Sequence, residues 1–277
     1  MGSGLKIQVG PHEFDLSHPI DISIPMRFNG PQPNAYGVDP AVAAACEYGD
    51  LIGDTRRGGS CNFERVTLIP HCNGTHTECV GHITDERISI TDCLKDTLAE
   101  AALITVLPEE TPDGEQLITR ESLANLAGAL TRELAASRAL IVRTLPNDDS
   151  KLIRTYDEAT IPPYFTLDAM KYIVDCGFRH LLVDMPSIDR IFDEGKLLNH
   201  CMFWGVAPGG RETDASSHIY NTITEMIYVP NEVSDGDYLL NLQIAPFVLD
   251  AAPSRPVLFR EGLPQMDADK HRWEAEK

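Results

Sequence analysis

The chain has no Cys-x-x-Cys pair, no phosphate-cradling glycine loop, no Rossmann fingerprint and no Gly-x-Ser-x-Gly elbow. Nucleotide binding and the commonest serine-nucleophile chemistry therefore have no sequence support. Basic residues are scarce, with 23 Lys and Arg against 42 Asp and Glu, for a formal net charge of −19. Such a surface repels phosphate backbones and anionic lipid, so partners of either kind are not expected. Its seven cysteines are odd in number and scattered, which reads as free thiols in a reducing compartment. Residues 1–6 lack the apolar core of a signal peptide. Nowhere does an apolar run approach the ~18 residues that span a bilayer. These absences predict a soluble, cytoplasmic protein with no membrane or nucleic-acid partner. Internal repeats and low-complexity tracts are missing too, and 277 residues suit one domain spanning 1–277.

What remains is an ordinary globular composition, 43% hydrophobic, with a readable α/β pattern. Residues 14–24 look like strand and turn. Residues 39–50 (DPAVAAACEYGD) read as a short helix, and residues 64–69 as a strand leading into a His-rich segment. A strand is expected over 103–107. The leucines at 123, 126, 130 and 134 give residues 120–136 a helical period. Residues 139–144 form a continuous apolar run of the buried-strand type. Thr166 is a good N-cap for a helix ending at Gly177, and strands follow over 178–184, 222–228 and 237–245. Helix–strand–helix–strand order argues for an α/β core with some parallel pairing. Residues 207–221 read as a loop.

The segment His71-Cys72-Asn73-Gly74-Thr75-His76-Thr77-Glu78-Cys79-Val80-Gly81-His82 holds three of the nine histidines. Cys72, His76, Glu78 and His82 are separated by even steps. On an extended strand they would share one face and present the ligand chemistry of a divalent-metal site. His71 competes with Cys72 for the first position: regular alternation selects Cys72, whereas a bulge at Asn73-Gly74 would select His71. A cysteine ligand favours zinc; a histidine keeps manganese compatible. One strand seldom completes a site. The distal candidates are His200 and His218, near Glu225, a lone acid among Ile223, Met226 and Ile227 that needs a partner if buried. His180, at the start of a strand, reads as a neutral surface residue, and His271 as a residue of an exposed charged tail.

These blocks resemble the cyclase family of metal-dependent hydrolases, which includes bacterial kynurenine formamidases and isatin hydrolases. That family's His-x-Gly-Thr-His-x-Asp-x-Pro-x-His motif is matched by residues 72–82. Asp15-Leu16-Ser17-His18-Pro19-Ile20 is similar to its opening, and Asp184-Met185-Pro186-Ser187-Ile188-Asp189 to its Asp-x-Pro-Ser-x-Asp block. Its distal histidine and glutamate fall on His200 and Glu225. The chain departs from the pattern at Cys72 (histidine in the family), Glu78 (aspartate) and Val80 (proline). It also carries an insertion holding Gly209-Gly210-Arg211 and His218.

By position, the resemblance implies metal ligands at Cys72 or His71, His76, Glu78, His200 and Glu225, with Glu78 bridging. It implies a proton-shuttling His82 and an aromatic residue, Phe28, over the substrate. The fold implied is a swivelling β/α/β domain with a mixed sheet, assembled as a homodimer or higher homo-oligomer. The cofactor implied is a divalent metal, zinc or manganese, and the partner a small-molecule substrate. The activity implied is hydrolysis of a small amide, aryl formamide or cyclic amide by metal-activated water. A lactone hydrolase or dehydrating cyclase on the same site, or a non-catalytic metal- or ligand-binding homologue, are the alternatives.

Overall fold

The structure, a computed structural model, describes residues 4–127 and 138–262. Its centre is a mixed sheet. Four strands, Leu98–Val106, Ala139–Thr144, His180–Val183 and Thr222–Glu225, pair parallel in that order. The expected parallel core is therefore present. On one side Gly236–Ile244 adds antiparallel to Leu98–Val106. On the other, the short strand His76–Glu78 adds antiparallel to Thr222–Glu225. Ala251–Arg260 then pairs with both His76–Glu78 and Gly236–Ile244, closing the seven strands into a barrel-like sheet. Closure leaves these strands no free edge.

Period-2 alternation divides the apolar side chains between two cores. Ile104, Val142, Leu181 and Val183 face the helices, where they pack with Ala169, Met170, Ile173, Phe203 and Trp204. Leu103, Ile141 and Leu182 face the other way and meet Leu240, Leu242 and Leu258. The helix Leu167–Asp175 begins where expected: the Thr166 hydroxyl accepts from the Ala169 amide. It ends before Gly177, whose φ of 81° needs a residue without Cβ strain. The helix expected over 120–136 is seen as Arg120–Ala127, and its remainder lies outside the described residues, as does His271.

Three expectations need correction. Residues 39–50 are not helical. Val42–Ala45 pairs antiparallel with Glu64–Thr67, and Glu47–Tyr48 with Leu51–Ile52. The available strand partner overrides the helical preference of the alanines. His180 is buried, 1% exposed, with Nδ1 against the Thr222 hydroxyl at 2.9 Å. It sits on an interior strand of the sheet, which a polar side chain alone does not disclose. Finally, residues 71–82 are not one strand. Pro70 starts a helical turn, Pro70–Asn73, because its missing N–H costs nothing at the first helical position. The extended run covers only His76–Glu78, and Val80–His82 forms a tight 3₁₀ turn.

Candidate metal centre

Breaking the motif into turn, strand and turn decides which side chains converge. On the helical turn, His71 and Cys72 diverge. Cys72 packs with Ala35, Tyr156 and Ile191, and its thiol is pushed up to about 11 by burial and by the Glu225 charge. The imidazole of His71 instead approaches the motif's acid, with Nε2 3.5 Å from Glu78 Oε2. Even spacing selects Cys72 only on a continuous strand, and Pro70 removes that premise.

Register places the next pair. In the antiparallel ladder Glu225 lies opposite His76, and Nε2 of His76 is 3.5 Å from Glu225 Oε2. Both side chains are buried. His76 Nδ1 donates to the Gly74 carbonyl at 3.0 Å. A carbonyl only accepts, so the proton is on Nδ1 and the lone pair on Nε2. Burial, then the neighbouring His71, holds this imidazole down at about 4, hence neutral. Among the described residues its buried Nε2 has no hydrogen-bond partner.

Glu78 sits between all four imidazoles. Its Oε1 is 3.1 Å from His200 Nε2, and its Oε2 faces His71 and, at 3.7 Å, His82 Nδ1. Burial alone would raise its pKa; the adjacent His82 and the His200 hydrogen bond outweigh that and hold it well below the carboxylate range. Glu225 goes the other way. Burial, then the Glu78 charge, pushes it up to about 8. Two neighbouring buried carboxyls with pKa values driven apart are a common mark of a functional site.

His200 enters from the helix Leu198–Trp204. Asp189 positions it: the carboxylate accepts from the Asn199 amide at 2.8 Å and from His200 Nδ1 at 2.6 Å. A carboxylate behind an imidazole fixes its orientation and raises its basicity, as behind metal-bound histidines. His82 arrives on the 3₁₀ turn, which requires Gly81, since a Cβ there would lie 2.0 Å from the Ile88 carbonyl oxygen.

Two residues of the centre carried no signal in the sequence reading. Asp250 Oδ2 is 3.0 Å from His71 Nε2 and 3.4 Å from His82 Nδ1. Its backbone carbonyl accepts from the Cys79 amide, which ties it to the motif. Tyr36, with φ of 62°, shares a hydrogen bond with Ser187, and burial, then the Glu225 charge, raises its phenol. Its ring meets Phe192 edge-on at 5.8 Å. Phe28 lies half-buried in a loop turn, and the aromatic residue coupled to Glu225 is Tyr36. His218 Nδ1 bonds the Phe203 carbonyl at 3.0 Å, which gives it a structural partner.

The donor atoms fall into two groups, His76–Glu78–Glu225 and His71–Glu78–His82, each with its ligand atoms within 4.8 Å of one another. Imidazole and carboxylate donors, with a buried lone pair left unbonded, fit a divalent cation. The described residues include no helix long and apolar enough to cross a membrane.

Comparison with known proteins agrees with the fold and with the family resemblance. The Cyclase family model matches residues 14–190. A structure described as a predicted metal-dependent hydrolase from Bacillus stearothermophilus superposes with a TM-score of 0.58 at 16% identity, covering 87% of this chain and 98% of that one. Isatin hydrolase A from Ralstonia solanacearum gives 0.61 at 14% identity, covering 87% and 91%. An isatin hydrolase bound to the product analogue thioisatinate gives 0.60 at 13% identity, covering 88% and 92%. At these identities the likeness speaks for the fold. No curated protein gives a significant sequence match.

Proposed function

Because this chain belongs to the cyclase family, we propose that it is a metal-dependent hydrolase of a carbon–nitrogen bond in a small amide, aryl formamide or cyclic amide. The observation that carries this reading is the buried, unbonded Nε2 of neutral His76 beside Glu225. Structural neighbours described as a metal-dependent hydrolase and as isatin hydrolases support it.

His76, Glu78 and Glu225 would hold the cation, with His200 alongside. When bound, a divalent ion there supplies a Lewis acid for the carbonyl and lowers the pKa of water toward ~7. The remaining chemistry belongs to side chains. His82 stands at the rim, 28% exposed, and would take the attacking water's proton as the C–O bond forms. It would return that proton to nitrogen as the C–N bond breaks. An imidazole suits both steps because its ordinary titration range lies near neutral pH. Trp204, its ring centroid 5.3 Å from His200 and 6.5 Å from His82, limits the space for water. Tyr36 and Phe192 wall an open cavity of about 520 Å³, which favours a planar or aryl group on the substrate. With Cys72 outside both donor groups, a histidine–carboxylate set suits manganese as well as zinc.

A homo-oligomer fits the exposed apolar residues Val42, Tyr48, Leu51, Val66 and Ile69 of the 42–69 segment; light scattering on the purified protein tests it. The activity test is elemental analysis combined with a panel of aryl formamides, lactams and lactones. The expected result is bound divalent metal, with amide turnover lost on chelation and restored by metal. Lactone-only turnover would move the reaction class, and metal-free protein without turnover would overturn the reading.

A further inference from the structure

We propose that the cavity lined by Arg154 and Tyr156 binds a small monocarboxylate with an apolar body, of about benzoate's size. The cavity holds about 230 Å³, under the ~300 Å³ lower end of drug-sized sites, so its occupant is small. None of its lining residues belongs to either donor group of the metal centre. Its occupancy therefore does not depend on the hydrolytic reading.

The charge available to a ligand follows from what is already spent. Lys151 and Asp184 line the cavity as a buried ion pair, 2.7 Å apart. The ammonium gives its three protons to Asp184, to the Thr144 carbonyl at 2.7 Å and to the Thr144 hydroxyl at 3.0 Å. The carboxylate also accepts from the Thr144 amide at 2.8 Å and from its hydroxyl at 2.9 Å. This pair is satisfied and neutral as a unit, and offers a ligand nothing. Arg154 is different. Its Nη2 serves the Ser150 hydroxyl and lies 3.6 Å from Asp148, whose side chain is 56% exposed. Solvent screens that pair and leaves the guanidinium largely uncompensated. The lining thus carries two cations and one acid in a chain of net charge −19. A guanidinium fork matches a carboxylate in shape as well as in sign.

Tyr156 supplies the second contact. It is buried, and burial keeps its phenol protonated. The guanidinium of Arg154 lies within hydrogen-bonding reach of that phenol. A guanidinium only donates, so the phenol's own proton is left for an incoming acceptor. The other walls are Leu145, Pro146, Ile161, Pro162, Pro163 and Met185. Their apolar surfaces give ordered water few partners and suit the body of an organic acid. Three of the six are prolines, whose fixed φ leaves little to order on binding. Leu145 and Arg154 reach the surface, which gives the ligand an entrance with its carboxylate beside Arg154. Phosphate fits less well: one uncompensated cation faces its two charges, and the apolar walls face no apolar group.

The experiment is calorimetric titration of the full-length protein as purified with benzoate, benzamide and inorganic phosphate, for wild type, Arg154→Gln and Ile161→Trp. Wild type is expected to bind benzoate and to bind benzamide and phosphate at least about tenfold more weakly, the worth of one charge-assisted hydrogen bond. Arg154→Gln should weaken benzoate by a similar factor. Ile161→Trp, which fills the cavity and spares the guanidinium, should abolish benzoate binding. Urea unfolding midpoints near that of wild type separate loss of the site from loss of the fold. The wild-type comparison of benzoate with benzamide decides the role of charge without any variant. Equal affinity for the two, or no benzoate binding at all, overturns the proposal. Benzoate binding unchanged in both variants places the carboxylate elsewhere, for example on the metal, and overturns it too.

Discussion

His76 and Glu225 are almost wholly withdrawn from water, whereas His71 and His82 keep about a quarter of their side chains in contact with it and Asp250 keeps 18%. The inner donors lie on paired strands inside a closed sheet. The outer ones lie on a helical turn, a 3₁₀ turn and the residue before a strand. The ladder register fixes the inner donors, and a neutral imidazole there faces a carboxyl kept protonated by its surroundings. The outer donors keep contact with solvent and lie 3.0–3.7 Å from a neighbouring donor. On the proposed function, one polypeptide motif would supply ligands from its strand and a proton-handling side chain from a flanking turn, with Glu78 in both donor groups. Burial, not residue type, separates the two groups.

Removing Glu78 should erase the comparison. Glu78→Ala takes one carboxylate from each donor group, so cation affinity should fall sharply. Activity should fall well beyond the ~100-fold typical of residues that merely orient ligands. Metal titration checks this: retention of wild-type affinity would show that the inner group holds its ion without the shared acid. His82→Ala should split the halves apart. It should keep the inner metal and lose turnover by roughly 10²–10⁴-fold, and wild-type turnover in that variant would remove His82 from the mechanism.

Titration sharpens the contrast at smaller scale. Glu225 is held protonated up to about pH 8 by burial and by Glu78. A cation must displace that proton, so binding releases it below pH 8 and not above. Affinity for the inner ion should therefore rise about tenfold per pH unit below 8 and flatten beyond. Calorimetry in buffers of different ionisation enthalpy counts the proton directly, and a pH-independent affinity would show that Glu225 is not displaced.

Several parts of this centre were legible in the sequence. Glu225 stood out because an acid among Ile223, Met226 and Ile227 needs a partner once the strand is buried. His76 and Glu78 share a face because their short run really is extended. The parallel core followed from continuous apolar runs and a good N-cap at Thr166. Other parts depended on information that local patterns lack. Asp250 reaches His71 and His82 only because Ala251 pairs with Glu78 across the closing strand. Tyr36 feels the Glu225 charge from a turn with no periodicity. His180 is polar yet interior, since its strand is covered on both sides. The assignment of residues 39–50 to a helix failed at the same point, where a distant partner, Glu64–Thr67, decided the conformation.

Cys72 gives the finest test, because sequence position and structure part company there. In the family motif its place belongs to a ligand, and even spacing on a strand would aim it at the cation. Pro70 instead curls the chain, and the thiol points into an apolar pocket formed with Ala35, Tyr156 and Ile191. With its pKa near 11 it stays protonated at neutral pH, and only a thiolate is a strong ligand. Cys72→Ala should therefore leave metal affinity and turnover within about twofold of wild type. It should cost only the small packing term of a trimmed buried side chain, about 1 kcal/mol in urea unfolding. The same variant distinguishes the two first-ligand candidates. If Cys72→Ala strips the metal while His71→Gln spares it, the thiol is a ligand after all, and the helical turn must unwind when metal binds. If metal binding survives the loss of the thiol, the histidine one residue earlier occupies the cluster because proline, not alternation, sets the direction of the chain.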